Sequence, residues 1–87
     1  MIKVLDFYAD WCAPCKVMRP IFDELKEEYS GEVGFESIDV DANGSMASQY
    51  RVMSIPTFVI IKNEEEISRK LGAVPKEALK SWIEGNL

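Results

Sequence analysis

At the twelfth residue the hydrophobic period of this chain changes, and that change decides much of the architecture. Ile2 to Ala9 is a near-continuous apolar and aromatic run, interrupted by Lys3 and Asp6. This is the pattern of a central strand covered on both faces. From about Cys12 to Tyr29 the spacing becomes helical: Met18, Phe22, Leu25 and Tyr29 recur at intervals of four, three and four, with Ile21 beside them. Asp23, Glu24, Lys26, Glu27 and Glu28 fill the outer face. Pro14 falls in the first turn, where a missing N–H costs nothing. Pro20 falls in the interior, where a kink is expected, and Ser30-Gly31 ends the helix.

The remaining punctuation completes the order. Val33 to Val40 reads as a second strand, with Val33 and Phe35 turned inward and Ile38 a further candidate. Asp41-Ala42-Asn43-Gly44 is a turn and Ser45 to Arg51 a short helix. Thr57 to Ile61 is an intensely apolar third strand; Lys62-Asn63-Glu64-Glu65 turns it back into Glu66 to Leu71, closed by Gly72. Glu64 is an unusual residue for so tight a turn. Pro75 to Glu84 is a final amphipathic helix whose apolar face is Leu79, Trp82 and Ile83, with Trp82 expected in the core. The order β-α-β-α-β-β-α predicts an α/β fold: a mixed four-stranded central sheet flanked by helices. The first two strands should be parallel through a right-handed crossover, and the last two an antiparallel hairpin. No repeat, linker or low-complexity tract divides residues 1–87, so one domain is expected.

Cys12 and Cys15 are the only cysteines, and there is no histidine. A disulfide between residues so close in sequence constrains the unfolded chain little, so a stapling role is a poor use of the pair. Position favours reactivity instead. Cys12 falls at the strand-to-helix junction, where free backbone N–H groups and the helix dipole favour an anion. A thiolate there is stabilised, and the thiolate is the nucleophile. Cys15, about one helical turn on, returns its sulfur towards Cys12, and Lys16 adds positive charge. C-x-x-C beside a βαβ pattern points to redox chemistry rather than to two inert buried thiols. Structural zinc wants four nitrogen or sulfur ligands and this chain offers two, so no metal is expected.

Charge narrows the partners. The formal net charge is −5 with no basic run, which disfavours nucleic acid and anionic membrane surfaces. The N-terminal Met1-Ile2-Lys3-Val4-Leu5-Asp6 meets a carboxylate too early for a signal-peptide apolar region, so a cytoplasmic location is expected.

Asp6-Phe7-Tyr8-Ala9-Asp10-Trp11-Cys12-Ala13-Pro14-Cys15-Lys16 resembles the active-site segment of the thioredoxins. The likeness continues through Pro20, Ile38-Asp39-Val40-Asp41, Ile55-Pro56-Thr57 and Gly72-Ala73, in register, over essentially the whole chain. The resemblance implies that Cys12 is the nucleophile and Cys15 the resolving thiol. It implies that Pro56 is a cis-proline facing the disulfide, with the Ile55 backbone offering hydrogen bonds to an extended substrate segment. Asp6 matches the family's buried carboxylate beneath the second cysteine, and burial would raise its pKa and suit it to accept the Cys15 proton. Trp11 resembles the family's tryptophan flanking the site. Ala13 and Pro14 sit between the cysteines, and Gly72 and Ala73 are expected to line the groove.

Three departures stand out. Ala13-Pro14 replaces the usual Gly-Pro, so the reduction potential is open. Ser37 stands where many thioredoxins place a lysine near the buried aspartate. The chain also starts at the family's second strand, which leaves Val33–Val40 as a candidate edge, open to pairing with a second copy although a monomer is expected.

The function expected is reduction of disulfides in partner proteins. With no Gly-rich dinucleotide fingerprint, no cofactor is expected, and a separate thioredoxin reductase would recharge the pair. The alternative is a non-catalytic module that docks partners through the same groove; the intact cysteine pair argues against it. An oxidase or isomerase is disfavoured by the lack of a histidine near the thiolate.

Overall fold

Alternation along the first strand sorts its side chains between two cores, and the rest of the chain is arranged to cover both. The computed structural model describes residues 1–87. Its elements are β1 (Lys3–Tyr8), α1 (Ala13–Glu28), β2 (Gly34–Asp39), α2 (Gly44–Gln49), β3 (Thr57–Lys62), β4 (Glu65–Leu71) and α3 (Lys76–Glu84). The sheet order is β2-β1-β3-β4, with β1 and β2 parallel and the other neighbours antiparallel. This is the α/β arrangement the sequence predicts, with element ends shifted by a residue or two. No helix is long and apolar enough to cross a membrane.

Val4 of β1 packs with Phe58 and Ile60 of β3 against Met18, Phe22 and Leu25 of α1 and Leu79 and Ile83 of α3. Leu5 and Phe7, pointing the other way, meet Ile38 and Val59 under Met46 and Tyr50 of the α2 segment. Phe22 stands edge-on to Phe35, ring centres 5.2 Å apart, a geometry that aromatic quadrupoles favour. α1 runs as one helix through Pro20. Gly31, at φ +86°, turns the chain out of the helix in a conformation that side chains other than glycine's resist.

The α3 helix is tied to α1 at both ends. Tyr29 Oη–H donates to Glu84 Oε2 at 2.5 Å, and Lys76 and Lys80 reach Glu24 and Glu28. Trp82, expected as core, is half-buried: it packs on the main cluster while its indole N–H donates to Ser68 Oγ at 2.8 Å. The β3–β4 turn places Asn63 at φ +53° and Glu64 at φ +67°. Two consecutive left-handed residues form the turn whose twist matches a two-residue hairpin, so Glu64 accepts an unfavourable backbone there.

Arg69 does something the sequence did not suggest. It pairs with Glu66 and also donates to the backbone carbonyls of Tyr50 and Arg51. Arg51 itself has φ +52°. The guanidinium fork thereby fastens the end of α2, and the loop that follows it, to β4.

Candidate active site

Once β1 ends at Tyr8, a tight turn presents Cys12: its N–H donates to Ala9 O at 3.2 Å. Cys12 is the N-cap of α1, with extended backbone at φ −89° and ψ 109°. An N-cap side chain normally accepts a hydrogen bond from one of the helix's free N–H groups. Here the acceptor is sulfur: the Cys15 N–H donates to Cys12 Sγ at 3.2 Å. Lys16 N–H closes the first helical bond onto Cys12 O. The two cysteines form a disulfide, their Cα atoms 5.2 Å apart, and each is only 4% exposed.

The surrounding chain is brought to this point by three other segments. Trp11 is 70% exposed, and its indole N–H donates to Asp41 Oδ2 at 2.9 Å, joining the β1–α1 turn to the one after β2. Asp41 is itself oriented by its backbone N–H, which donates to Asp39 Oδ1. Ile55 O lies 3.9 Å from Cys12 Sγ. The Ile55–Pro56 peptide bond is cis, as the resemblance implied, and Pro56 is buried. Gly72 N–H donates to Pro56 O at 2.9 Å, which brings the end of β4 to the same place. Gly72 adopts φ +83°, and a Cβ there would meet nothing within 4 Å, so backbone conformation rather than space calls for glycine. Ala13, Pro14 and Ala73 are exposed.

Asp6 lies under the helix. It alternates with Leu5 and Phe7, so its side chain joins Val4 on the face that α1 and α3 cover. It is 1% exposed, and Oδ1 has no hydrogen-bond partner. Desolvation dominates and pushes the carboxyl up from an ordinary 3.8 to about 6; the Arg19 cation opposes this shift and the Asp23 charge adds to it. Beside it, a cavity of about 290 Å³ opens between the end of β1 and α1, lined among others by Tyr8, Cys15, Lys16 and Arg19. Lys16 is exposed at its rim.

A profile of the thioredoxin family matches residues 1–85. The chain belongs to the thioredoxin family. A thioredoxin from Staphylococcus epidermidis is 41% identical over 86 residues, 99% of this chain and 83% of the relative. One from Staphylococcus aureus is 38% identical over the same length. In three dimensions the chain superposes on a mutant thioredoxin from Halobacterium salinarum with a TM-score of 0.88 at 37% identity, covering 97% of this chain and 73% of that one. Membership of the thioredoxin family, with Cys12 and Cys15 at disulfide distance, makes the chain a thiol–disulfide oxidoreductase and a protein-disulfide reductase. Its substrates are disulfide-containing proteins, and a thioredoxin reductase is its electron-supplying partner.

Of the residues singled out from sequence, Cys12, Cys15, Trp11, Ala13, Pro14, Ile55, Pro56 and Gly72 fall around the disulfide, with Ala73 following Gly72. Asp6 and Lys16 lie on the α1 side. Two residues beside the site were missed. Asp41 falls in a segment that resembles the family, but nothing marked it as the partner of Trp11, because their bond joins positions thirty apart. Arg19 did give one: it lies four residues after Cys15, on the same face of α1.

Proposed function

We propose that Cys12 is the attacking sulfur and Cys15 the resolving one. The observation that carries this assignment is the Cys15 N–H directed at Cys12 Sγ at the mouth of a sixteen-residue helix. When the pair is reduced, that amide and the helix dipole favour the Cys12 thiolate over the thiol. The thiolate attacks one sulfur of a partner's disulfide; that bond breaks, and the other partner sulfur leaves and is protonated. Cys15 then loses its proton to Asp6 and attacks Cys12 Sγ. The mixed disulfide breaks, the second partner thiol departs, and two electrons have passed from this chain to the partner.

The groove belongs to the same reading. Ile55, next to Cys12 Sγ, offers backbone hydrogen bonds to an extended substrate segment, with Pro56 fixing its direction. Trp11, Ala13, Pro14, Gly72 and Ala73 shape the surface, and Lys16 adds positive charge near the sulfurs. The chain acts as a monomer without nucleic acid or membrane. A reductase of this kind works in the cytoplasm, where thiols are kept reduced.

A turbidity assay of insulin reduction tests the assignment. Cys12→Ser and Cys15→Ser should each abolish turnover, and Cys15→Ser should accumulate a covalent complex through Cys12 that a small thiol reverses. Turnover surviving in Cys12→Ser, or a complex trapped through Cys15 instead, would reverse the roles.

A further inference from the structure

The cavity next to Cys15 holds a charge that none of these roles uses. Arg19 is half-buried, and its guanidinium carbon lies 4.4 Å from the centre of the Tyr8 ring, within cation–π range. Arg19 joins none of the chain's ion pairs. Tyr8 lies two residues beyond Asp6 on β1, and so on the same face of the strand. Asp6 Oδ1, buried and without a hydrogen-bond partner, thus shares its face of the sheet with the ring that holds the Arg19 cation.

We propose that Arg19 is a positioning residue for the second half-reaction: clamped over Tyr8 at the rim of the cavity beside Cys15, it keeps the buried Asp6 carboxylate ionised and ready to take the Cys15 proton. The inference rests on the reading of Asp6 as proton acceptor. Without a nearby cation, a carboxyl so well desolvated would hold its proton to higher pH, leaving a smaller ionised fraction to accept the Cys15 proton at neutral pH. No other cation is held over the Tyr8 ring, although Lys16 lines the same cavity at its exposed rim. Ser37, the β2 neighbour of Asp6, is uncharged, and Asp39, next to Tyr8, is anionic. Lys70 lies one strand further away, opposite Phe58. Lys16 is exposed. Lys76 and Lys80 of α3 are engaged by Glu24 and Glu28, and Glu84 by Tyr29. On α1 the remaining charge facing Asp6 is Asp23, which opposes ionisation as Arg19 favours it.

The step can be isolated. Reduced protein treated with an aromatic disulfide forms a mixed disulfide at Cys12, and attack by Cys15 releases a second chromogenic thiolate whose rate can be followed from pH 5 to pH 9. In the wild type that rate should rise with ionisation of Asp6. Arg19→Met should move the midpoint up by about one pH unit, the lower end of what an opposite charge nearby gives. Arg19→Lys should return it towards the wild-type position, a rescue that a packing role would not produce. Asp6→Asn should remove the midpoint and make Arg19→Met silent in the double variant. If Asp6→Asn alters the profile and Arg19→Met does not, Arg19 has no such role while Asp6 keeps its own. An Arg19→Met effect that survives in the Asp6→Asn background would show Arg19 acting on Cys15 directly and would overturn the proposal. A profile indifferent to Asp6→Asn would end the proton-acceptor reading and the proposal together.

Discussion

Replacing Asp6 by asparagine should change the stability of the oxidised protein by an amount that rises with pH. The carboxyl is pushed from 3.8 to about 6 by burial, so folding must either desolvate a charge or take up a proton. Below pH 3.8 the group is protonated in both states and the wild type bears no electrostatic cost. Between pH 3.8 and about 6 the unfolded chain is ionised while the native one holds its proton, and wild-type stability falls by about 1.4 kcal/mol for each pH unit. Above pH 6 both states are ionised and the loss is complete, about 3 kcal/mol. Asparagine escapes this loss, although its amide leaves a polar group without a partner where Oδ1 now has none, at a pH-independent cost of about 1–3 kcal/mol. Urea unfolding of both proteins between pH 3 and pH 8 measures the difference. The stability of Asp6→Asn relative to wild type should rise by about 2.4 kcal/mol between pH 4 and pH 7 and then level off. A difference that is flat across that range would mean that Asp6 is not desolvated as its 1% exposure implies.

Three further variants test the scaffold. Tyr29→Phe removes the hydrogen bond that ties α1 to Glu84 of α3 and should cost about 1.5 kcal/mol, lowering the melting temperature by roughly 6–12 °C. Gly72→Ala meets no atom but must hold φ +83°, so a loss of about 1 kcal/mol is expected with no change in core packing, readable by thermal unfolding. Arg69→Met leaves the carbonyls of Tyr50 and Arg51 without their charged donor; it should cost about 1–2 kcal/mol and raise hydrogen exchange in the loop leading to Ile55. Equal exchange in wild type and Arg69→Met would show that the loop is held by something else.

Where one periodicity dominates, the sequence could be read directly. The β1 run is apolar enough to require cover on both faces, and the Met18–Phe22–Leu25–Tyr29 stripe permits only a helix, so the hand-over that places Cys12 at an N-cap follows from local pattern. The hairpin was legible from Asn63 even though Glu64 is a poor turn residue, because two apolar-patterned runs joined by so short a connection can only pair antiparallel. Burial of Asp6 could be argued from the strand's position but not its magnitude, which depends on what α1 lays over it. The bonds of Trp11 to Asp41 and of Arg69 to the α2 terminus were invisible, since they join surface polar groups far apart in sequence and leave no periodic trace. Trp82 shows the limit of a helical stripe: it marks the side that faces the core but not the edge, where an indole N–H still finds Ser68.

Everything catalytic in this account begins with a Cys12 sulfur that is anionic near neutral pH. Ultraviolet titration of the thiolate in the reduced protein, with the rate of alkylation at Cys12 followed in parallel, measures this directly. The midpoint should fall well below the ~8.5 of a free cysteine, with rapid alkylation at pH 7 that Cys12→Ser abolishes. A midpoint at the free-cysteine value, with slow alkylation at pH 7, would contradict the claim that the helix mouth activates this sulfur.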